Sequence, residues 1–153
     1  VKAKFNYLIF IIIKGACMYQ LCYASCSTSD NDKLLEDLRN ILKEARDFNV
    51  DHEIRGVLYF ADQYFFQCLE GKKEALDILI EKLKKDTRHK GFTLFEYKPV
   101  NKSHFVDWSM KYVRRNSVIQ QYMRDQGFEL FRPKLLQPHQ VEELITLLVD
   151  IKD

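Results

Sequence analysis

An α+β fold is the class that the sequence predicts, and two observations support it. Stretches with the two-residue alternation of a β-strand are interspersed with stretches that carry apolar residues at helical spacing. The 153 residues include 46% hydrophobic residues but only 5 Gly and 3 Pro, which is typical of one well-packed globular domain. The order of these stretches along the chain then predicts the architecture.

The first strand is predicted at residues 19–25, where YQLCYAS alternates before the polar run SCSTSDND. Asp30 and Asn31 are candidate N-caps for the helix that follows, and Asn49 is a candidate C-cap. The apolar stripe of this helix consists of Leu34, Leu35, Leu38, Ile41, Leu42, Ala45 and Phe48.

A hairpin is predicted next, with strands at residues 54–60 and 64–69 on either side of a polar corner at Asp62 and Gln63. Gly71 then interrupts the pattern before a second helix at about 73–86. The remaining predicted elements are strands at 92–100 and 108–115 and helices near 117–126 and 139–151.

This β-α-β-β-α-β-β order predicts a ferredoxin-like sheet with its two main helices on one face. The second hairpin strand is apolar on both sides, with Phe65 and Leu69 on one face and Phe66 and Cys68 on the other. Because a sheet that is apolar on both sides needs two covers, we expect the C-terminal helices to cover the second face.

Charge and cysteine content restrict the function classes. Lys+Arg 24 against Asp+Glu 22 leaves a net charge of +2, so no strong field points to nucleic acid or to a membrane surface. The four cysteines form no C-x-x-C pair, and a chain of this length needs no disulfide framework. Reduced thiols in a cytoplasm are therefore expected.

The N-terminal residues 1–17 are unusual because the chain begins with Val and carries the apolar run YLIFIII at 7–13. That run is too short for a transmembrane helix of about 20 residues, and Lys14 and the lack of an A-x-A site disfavour a signal peptide. An extra β-rich segment and translated sequence upstream of a true start at Met18 remain open, and the second is favoured.

The sequence contains no motif that predicts an enzyme or a metal site. It has no G-x-G-x-x-G, no Walker A loop and no G-x-S-x-G elbow. The four histidines, His52, His89, His104 and His139, show no ligand spacing, and Cys22-x-x-x-Cys26 is weak evidence for zinc.

Gln67 is the most unusual residue, because it lies inside the apolar run YFFQCL. A buried amide without a partner costs about 1–3 kcal/mol, so this side chain should be hydrogen bonded. It is either a core residue bonded to backbone or to a tyrosine hydroxyl, or a contact to a polar ligand. In the second case Tyr23, Gln67, Trp108 and Met110 could converge on one pocket beneath the two helices.

Six short segments occur in a fixed order between about Met18 and Arg115: Y-A-S, R-D-F-N, G-V-L-Y-F, F-F-Q-C-L-E-G, K-D-T-R-H and W-S-M. This ordered set resembles the BLUF domain, the FAD-binding blue-light sensor. The most specific of them are F-F-Q-x-L-E-G, the following R-H and the W-x-M.

The resemblance implies a role for each matching residue. Tyr23 would donate an electron and then a proton to excited flavin, and Gln67 would lie between that hydroxyl and the flavin N5/C4=O edge. The return of the electron and proton would leave the Gln67 amide rearranged, with a new hydrogen bond to C4=O that shifts absorption to the red. The other implied flavin contacts are Ile41, Asn49, Leu58, Phe65, Lys82, Arg88 and His89, and the implied neighbours of Gln67 are Trp108 and Met110.

Two positions depart from the BLUF pattern. Phe48 stands where many relatives carry Asn or His, which removes one polar flavin contact. Lys82 stands where some relatives place an Arg, and a Lys supplies charge without the two-pronged geometry of a guanidinium. We expect flavin binding to survive both changes.

The resemblance predicts a short, non-enzymatic bacterial photoreceptor in the cytoplasm. Residues 18–115 would form the flavin-binding domain, and 116–153 a helical cap and output segment. Output would then be protein–protein contact, with a transcription regulator or with copies of the chain itself. One alternative is a flavin-free ferredoxin-like interaction domain, which would be colourless, and a second is a small-molecule enzyme whose nucleophile or metal site is not evident.

Overall fold

Five strands form one mixed sheet: β1 (Met18–Ser27), β2 (Arg55–Ala61), β3 (Tyr64–Lys72), β4 (His89–Val100) and β5 (Lys111–Val113). Their order across the sheet is β4-β1-β3-β2-β5. All neighbours are antiparallel except β2 and β5, which are parallel. This computed structural model describes residues 18–152, without the side chain of Glu96. The extension predicted at residues 1–17, with its alternative start, lies outside the described residues.

Within the described part of the chain, four α-helices accompany the sheet: α1 (Asn31–Asp51), α2 (Lys73–Lys85), α3 (Ser117–Asp125) and α4 (Pro138–Asp150). A short 3₁₀ helix, Pro133–Leu135, precedes α4. Between residues 18 and 152 no helix is both long and apolar enough to cross a membrane.

Two apolar cores lie on opposite faces of the sheet, as the pattern of β3 predicts. Phe65 and Leu69 pack with apolar residues of α1 and α2 on one face. Phe66 and Cys68 pack with residues of α3, α4 and the segment between them on the other. All four side chains are buried, so both cores contribute to stability through removal of apolar surface from water. The predicted α+β fold of the ferredoxin-like kind, with C-terminal helices over the second face, is confirmed.

The hairpin between β2 and β3 turns at Asp62 and Gln63, whose φ values of 50° and 70° are those of a type I′ turn. Asp62 also ties the C-terminal segment to this corner, because its carboxylate accepts a hydrogen bond of 2.8 Å from the backbone N–H of Phe131. The polar corner therefore supports both the hairpin and the cover of the second face.

The first helix begins where the sequence predicts, with Asp30 at the N-cap position, and differs from the prediction at its end. Asp30 precedes it, but its side chain makes no capping bond; its backbone carbonyl instead accepts from the N–H groups of Lys33 and Leu34. Asn49 is not the C-cap, because the helix continues to Asp51 and His52 occupies that position. The side chain of Asn49 is thereby available for a contact inside the protein.

The fifth strand is shorter than the predicted range of 108–115. The carbonyl of Ser109 accepts a hydrogen bond of 2.7 Å from the Asn49 amide, and that of Met110 accepts one of 3.3 Å from Arg46 Nε. Side chains of α1 thus form hydrogen bonds with backbone carbonyls that a longer β5 would use to pair with β2. Regular pairing with β2 begins only at Lys111.

Candidate functional site

Gln67 lies at the centre of the sheet with polar contacts at both ends of its amide. It pairs in register with Tyr23 on the neighbouring strand, and both side chains are 4% exposed. The Tyr23 hydroxyl donates a short hydrogen bond to Gln67 Oε1. Gln67 Nε2 in turn points at the sulfur of Met110, 3.5 Å away, which is a weak acceptor. Tyr23, Gln67 and Met110 therefore form one continuous series of contacts beneath α1 and α2.

Tyr23 is held in a protonated, tightly packed state. Burial raises the pKa of its hydroxyl well above the ordinary value, and the charge of Asp86 adds to this effect. Its ring stacks on Phe92 with centroids 4.6 Å apart and lies edge-on to His89 at 6.2 Å. The phenolic proton consequently stays on Tyr23 at neutral pH, where Gln67 accepts its hydrogen bond.

A narrow cleft of about 90 Å³ opens over Tyr23 and Gln67, between α1 and α2. The predicted apolar contacts are divided between this cleft and a smaller hollow of about 20 Å³ that also adjoins Tyr23: Ile41 on α1 lines both, whereas Leu58 on β2 and Phe65 on β3 line only the smaller one. Because the volume of the cleft is below the roughly 300–1,000 Å³ typical of ligand pockets, the side chains of the two helices must part to admit a tricyclic ring.

Asn49 brings an unsatisfied polar atom to this cleft. It is fully buried near the end of α1, and its Nδ2 donates to the carbonyl of Ser109. Its Oδ1 has no hydrogen-bond partner among the described residues. A buried acceptor without a donor costs about 1–3 kcal/mol, and the flavin ring carries an N–H on its polar edge. The residues present therefore fit a flavin, and Asn49 Oδ1 is available to accept a hydrogen bond from such an edge.

Charged side chains lie at the mouth of the cleft. The Arg88 guanidinium pairs with Asp86 and with Glu44, at 2.7 Å in each case. Burial alone would favour the neutral form of Asp86, but hydrogen bonds from Arg88 hold the pKa of this carboxyl below its usual value. Lys82 lies over the Phe48 ring, 4.6 Å from its centroid. A phosphate at this mouth would meet Lys82 directly, and would compete with two carboxylates for Arg88.

His89 occupies the start of β4 beside the same opening. Its Nδ1 lies 2.7 Å from Ser25 Oγ, and its Nε2 lies 2.5 Å from the carbonyl of Leu83 on α2. The ring thus connects β1, β4 and α2 next to Tyr23. In this arrangement His89 contributes shape and support to the cleft.

Trp108 does not lie next to Gln67, although the sequence analysis predicts that it does. It packs against the core formed with α3 and α4, on the opposite face of the sheet from Tyr23. The Lys111 ammonium lies 4.4 Å from the centroid of its ring. Met110 alone of the two residues contacts the Gln67 amide, so Trp108 is not part of this contact series.

Three contributors to the site were missed in the sequence. Phe92 stacks on Tyr23, and Asp86 and Glu44 hold Arg88. Asp86 lies within the K-D-T-R-H segment and could have been identified from it, whereas nothing in the periodicity of α1 singles out Glu44. Within residues 18–152 no group of His, Cys, Asp and Glu is placed to hold a metal ion.

Comparisons with known proteins agree with this geometry. The family model described as BLUF, sensors of blue light using FAD, matches residues 18–111. The structure titled "BlsA photo-activated state" superimposes with a TM-score of 0.85 at 42% identity, covering 89% of this chain and 97% of that one. The dark-state structure of BlrB, a BLUF protein, gives 0.75 at 27% identity, with 88% and 96% covered.

A much longer protein matches over the same region. The photoactivated adenylate cyclase subunit beta of Euglena gracilis is 29% identical over 99 residues, which is 65% of this chain but only 12% of that protein. The chain therefore spans only about an eighth of that protein's length, and the cyclase activity in its name is not assigned to this chain. On the family match and the two solved structures together, this chain belongs to the BLUF family and is a sensor of blue light that uses FAD.

Proposed function

We propose that this chain is a non-enzymatic photoreceptor in which Tyr23 is the electron and proton donor and Gln67 is the switch. The observation that carries the proposal is the buried contact series from the Tyr23 hydroxyl through the Gln67 amide to Met110 Sδ. The flavin-binding domain would comprise residues 18–115, and residues 116–153 would form the helical cap and output segment. The similarity to BlsA, which this chain covers over 97% of its length, supports a role as a photoreceptor.

When bound, FAD would absorb the blue light and would accept one electron and one proton. Tyr23 keeps its proton until it is oxidised, because burial disfavours the phenolate. When the proton leaves, the Tyr23 hydroxyl no longer donates to Gln67 Oε1, and the amide is free to rearrange.

Gln67 can store the outcome because its amide is asymmetric. The oxygen end accepts hydrogen bonds and the nitrogen end donates two. Rotation or tautomerisation of the amide therefore exchanges the acceptor and the donor that face its two neighbours. Two hydrogen-bonded arrangements that differ by a few kcal/mol allow a change of population without a large movement. When the electron and proton return to Tyr23, Gln67 stays in the second arrangement until it relaxes thermally.

Met110 is the route by which we propose that the change leaves the site. The contact between Gln67 Nε2 and Met110 Sδ would change when the amide rearranges. Lys111, the residue after Met110, begins β5. The ammonium of Lys111 is buried and donates to the carbonyls of Leu148, Val149 and Ile151 at 3.0, 3.1 and 2.5 Å. A displacement of Met110 is thereby passed to the C-terminal end of α4.

The receiver of the signal is proposed to be a protein, either a transcription regulator or a second copy of the chain. Among the described residues Cys22, Cys26 and Cys68 are not in disulfides, and the environment that we propose for the protein is a reducing cytoplasm.

An absorption spectrum before and after blue light tests the proposed function. The purified protein should be yellow, and illumination should shift the flavin band reversibly to longer wavelength. Colourless protein after reconstitution with FAD would support the flavin-free alternative. Coloured protein that shows no shift, or only irreversible bleaching, would contradict the assigned switch.

Asn49→Leu should weaken FAD binding by about tenfold, because it removes one buried acceptor whose hydrogen bond is worth about 1–2 kcal/mol. Titration of the apoprotein with FAD, followed by flavin fluorescence, measures the affinity. Asn40→Leu is the matched control, since Asn40 is an exposed residue of the same helix. An unchanged affinity in Asn49→Leu would show that its free oxygen does not meet the flavin.

Lys111→Met should leave the red shift intact but loosen α4, because the α4 carbonyls lose their ammonium donor. Hydrogen–deuterium exchange should be faster at residues 138–150 in the dark, and the light-dependent difference there should disappear. Lys102→Met, at an exposed loop position, is the control. A preserved light-dependent difference in Lys111→Met would exclude this route.

A further inference from the structure

The strand β5 forms one edge of the sheet, and open clefts adjoin it on two sides. One cleft, of about 780 Å³, lies between α1 and the end of β2; the other, of about 540 Å³, lies between α1 and the residues that follow α4. Tyr112, Arg114 and Arg115 line both of them. We call this continuous surface the β5 groove; its principal residues are Leu34, Leu35, Leu38, Arg46, Tyr112, Arg114, Arg115 and Lys152.

The first half of the β5 groove, which we call its apolar half, carries an apolar patch next to Arg39, Arg114 and Arg115. Leu34, Leu35 and Leu38 of α1 face it together with Phe60 and Tyr112. Leu35 is 59% exposed, which is high for a leucine beside two half-buried aromatic rings. Apolar surface concentrated next to an open sheet edge is typical of a site that another chain covers.

The second half of the β5 groove is basic. Arg46, Arg114, Arg115 and Lys152 line the cleft beyond Tyr112, and among its described lining residues none is acidic. The only carboxylate in the described lining of the apolar half is Asp62, which lies 3.4 Å from Arg115. The positive charge of the basic half is therefore only partly compensated by carboxylates of the described chain.

We propose that the β5 groove binds an extended acidic and apolar segment of the partner protein, which adds to β5 as a sixth strand. An edge strand offers backbone N–H and C=O groups to such a segment, and alternate side chains give specificity. Acidic side chains of the segment would meet Arg46, Arg114 and Lys152, and apolar ones would meet the leucines of α1. The inference rests on the proposed function, in which output is a protein contact.

The β5 groove is also connected to the light-sensitive site. Arg46, which lines it, donates to the carbonyl of Met110, and the sulfur of Met110 is the second neighbour of the Gln67 amide. A rearrangement of Gln67 would therefore change the position of Met110, and with it the start of β5 and the hydrogen bond that Arg46 donates. We therefore expect the affinity of the groove for its segment to differ between dark and illuminated protein.

A short peptide of alternating Glu and Val is the probe, labelled with a far-red dye whose excitation light the flavin does not absorb. Its binding to the FAD-loaded full chain is measured by fluorescence anisotropy, in the dark and under blue light. Two control peptides isolate the two recognition elements: one carries Lys in place of Glu, and one is N-methylated at alternate backbone nitrogens so that it cannot pair as a strand. We expect the Glu peptide to bind at least tenfold more tightly than either control.

Variants of the protein complete the test. Arg114→Glu should weaken the Glu peptide at least tenfold, whereas Lys102→Glu, the same charge change in an exposed loop outside the groove, should not. The red shift is recorded for each variant, so that a loss of photochemistry is distinguished from a loss of docking.

Three results would each overturn the proposal. The first is that the Glu peptide does not bind in either light condition. The second is that the methylated peptide binds as tightly as the Glu peptide, and the third is that Arg114→Glu binds the Glu peptide as tightly as the unaltered protein. Tighter binding of a single-stranded oligonucleotide than of the Glu peptide would reassign the groove to nucleic acid.

Discussion

Gln67→Leu is expected to bind FAD and to lose the light-induced red shift completely. The flavin contacts proposed for Leu58, Phe65 and Asn49 do not involve Gln67, so the protein should still be yellow. Leucine has neither the acceptor that Tyr23 uses nor the donor that faces Met110. No second hydrogen-bonded arrangement then exists for light to populate.

The same variant has a defined effect on stability. The Tyr23 hydroxyl is left as a buried donor without an acceptor, which costs about 1–3 kcal/mol, partly offset because no amide is buried any longer. Thermal unfolding should therefore show a modest decrease. Gln121→Leu, at an exposed position of α3, is the control. A normal red shift in Gln67→Leu would refute its role as the switch.

Local patterns were sufficient to predict most of the fold. The alternation in β3 predicts two buried faces, and Phe65 and Phe66 are indeed buried in different cores. The interruption of this apolar run by a single amide also identified Gln67 as a residue that needs a partner. Both features follow from the period of a strand, which is fixed by backbone geometry.

The position of Trp108 shows where this kind of prediction fails. Residues 108 and 110 share a face only if the segment is a regular strand. The chain is irregular before Lys111, so Trp108 and Met110 reach different faces of the sheet. The contact that holds this segment, from Asn49 to Ser109, spans 60 residues and leaves no periodic signal in the sequence.

A buried carboxylate provides a second long-range constraint of this kind. Glu70 accepts hydrogen bonds from Gln20 Nε2 at 3.0 Å, Ser103 Oγ at 2.9 Å and the backbone N–H of His104 at 2.8 Å. These bonds tie the loop after β4 to the centre of the sheet. The sequence shows Glu70 only as part of the F-F-Q-C-L-E-G segment, and its structural function becomes evident only when the loop is folded against it.

Tyr23→Phe is expected to keep the fold and the flavin but to abolish the photocycle. The phenylalanine ring can retain the stacking on Phe92, whose centroid lies 4.6 Å from that of Tyr23. It has no phenolic proton to give and no hydroxyl to release Gln67, so the red shift and its quantum yield should fall to the detection limit. Tyr19→Phe is the matched control, because Tyr19 lies on the same face of β1 and packs against Tyr97. A normal quantum yield in Tyr23→Phe would show that another residue is the donor, and Trp108→Phe in that background would identify whether it is the tryptophan.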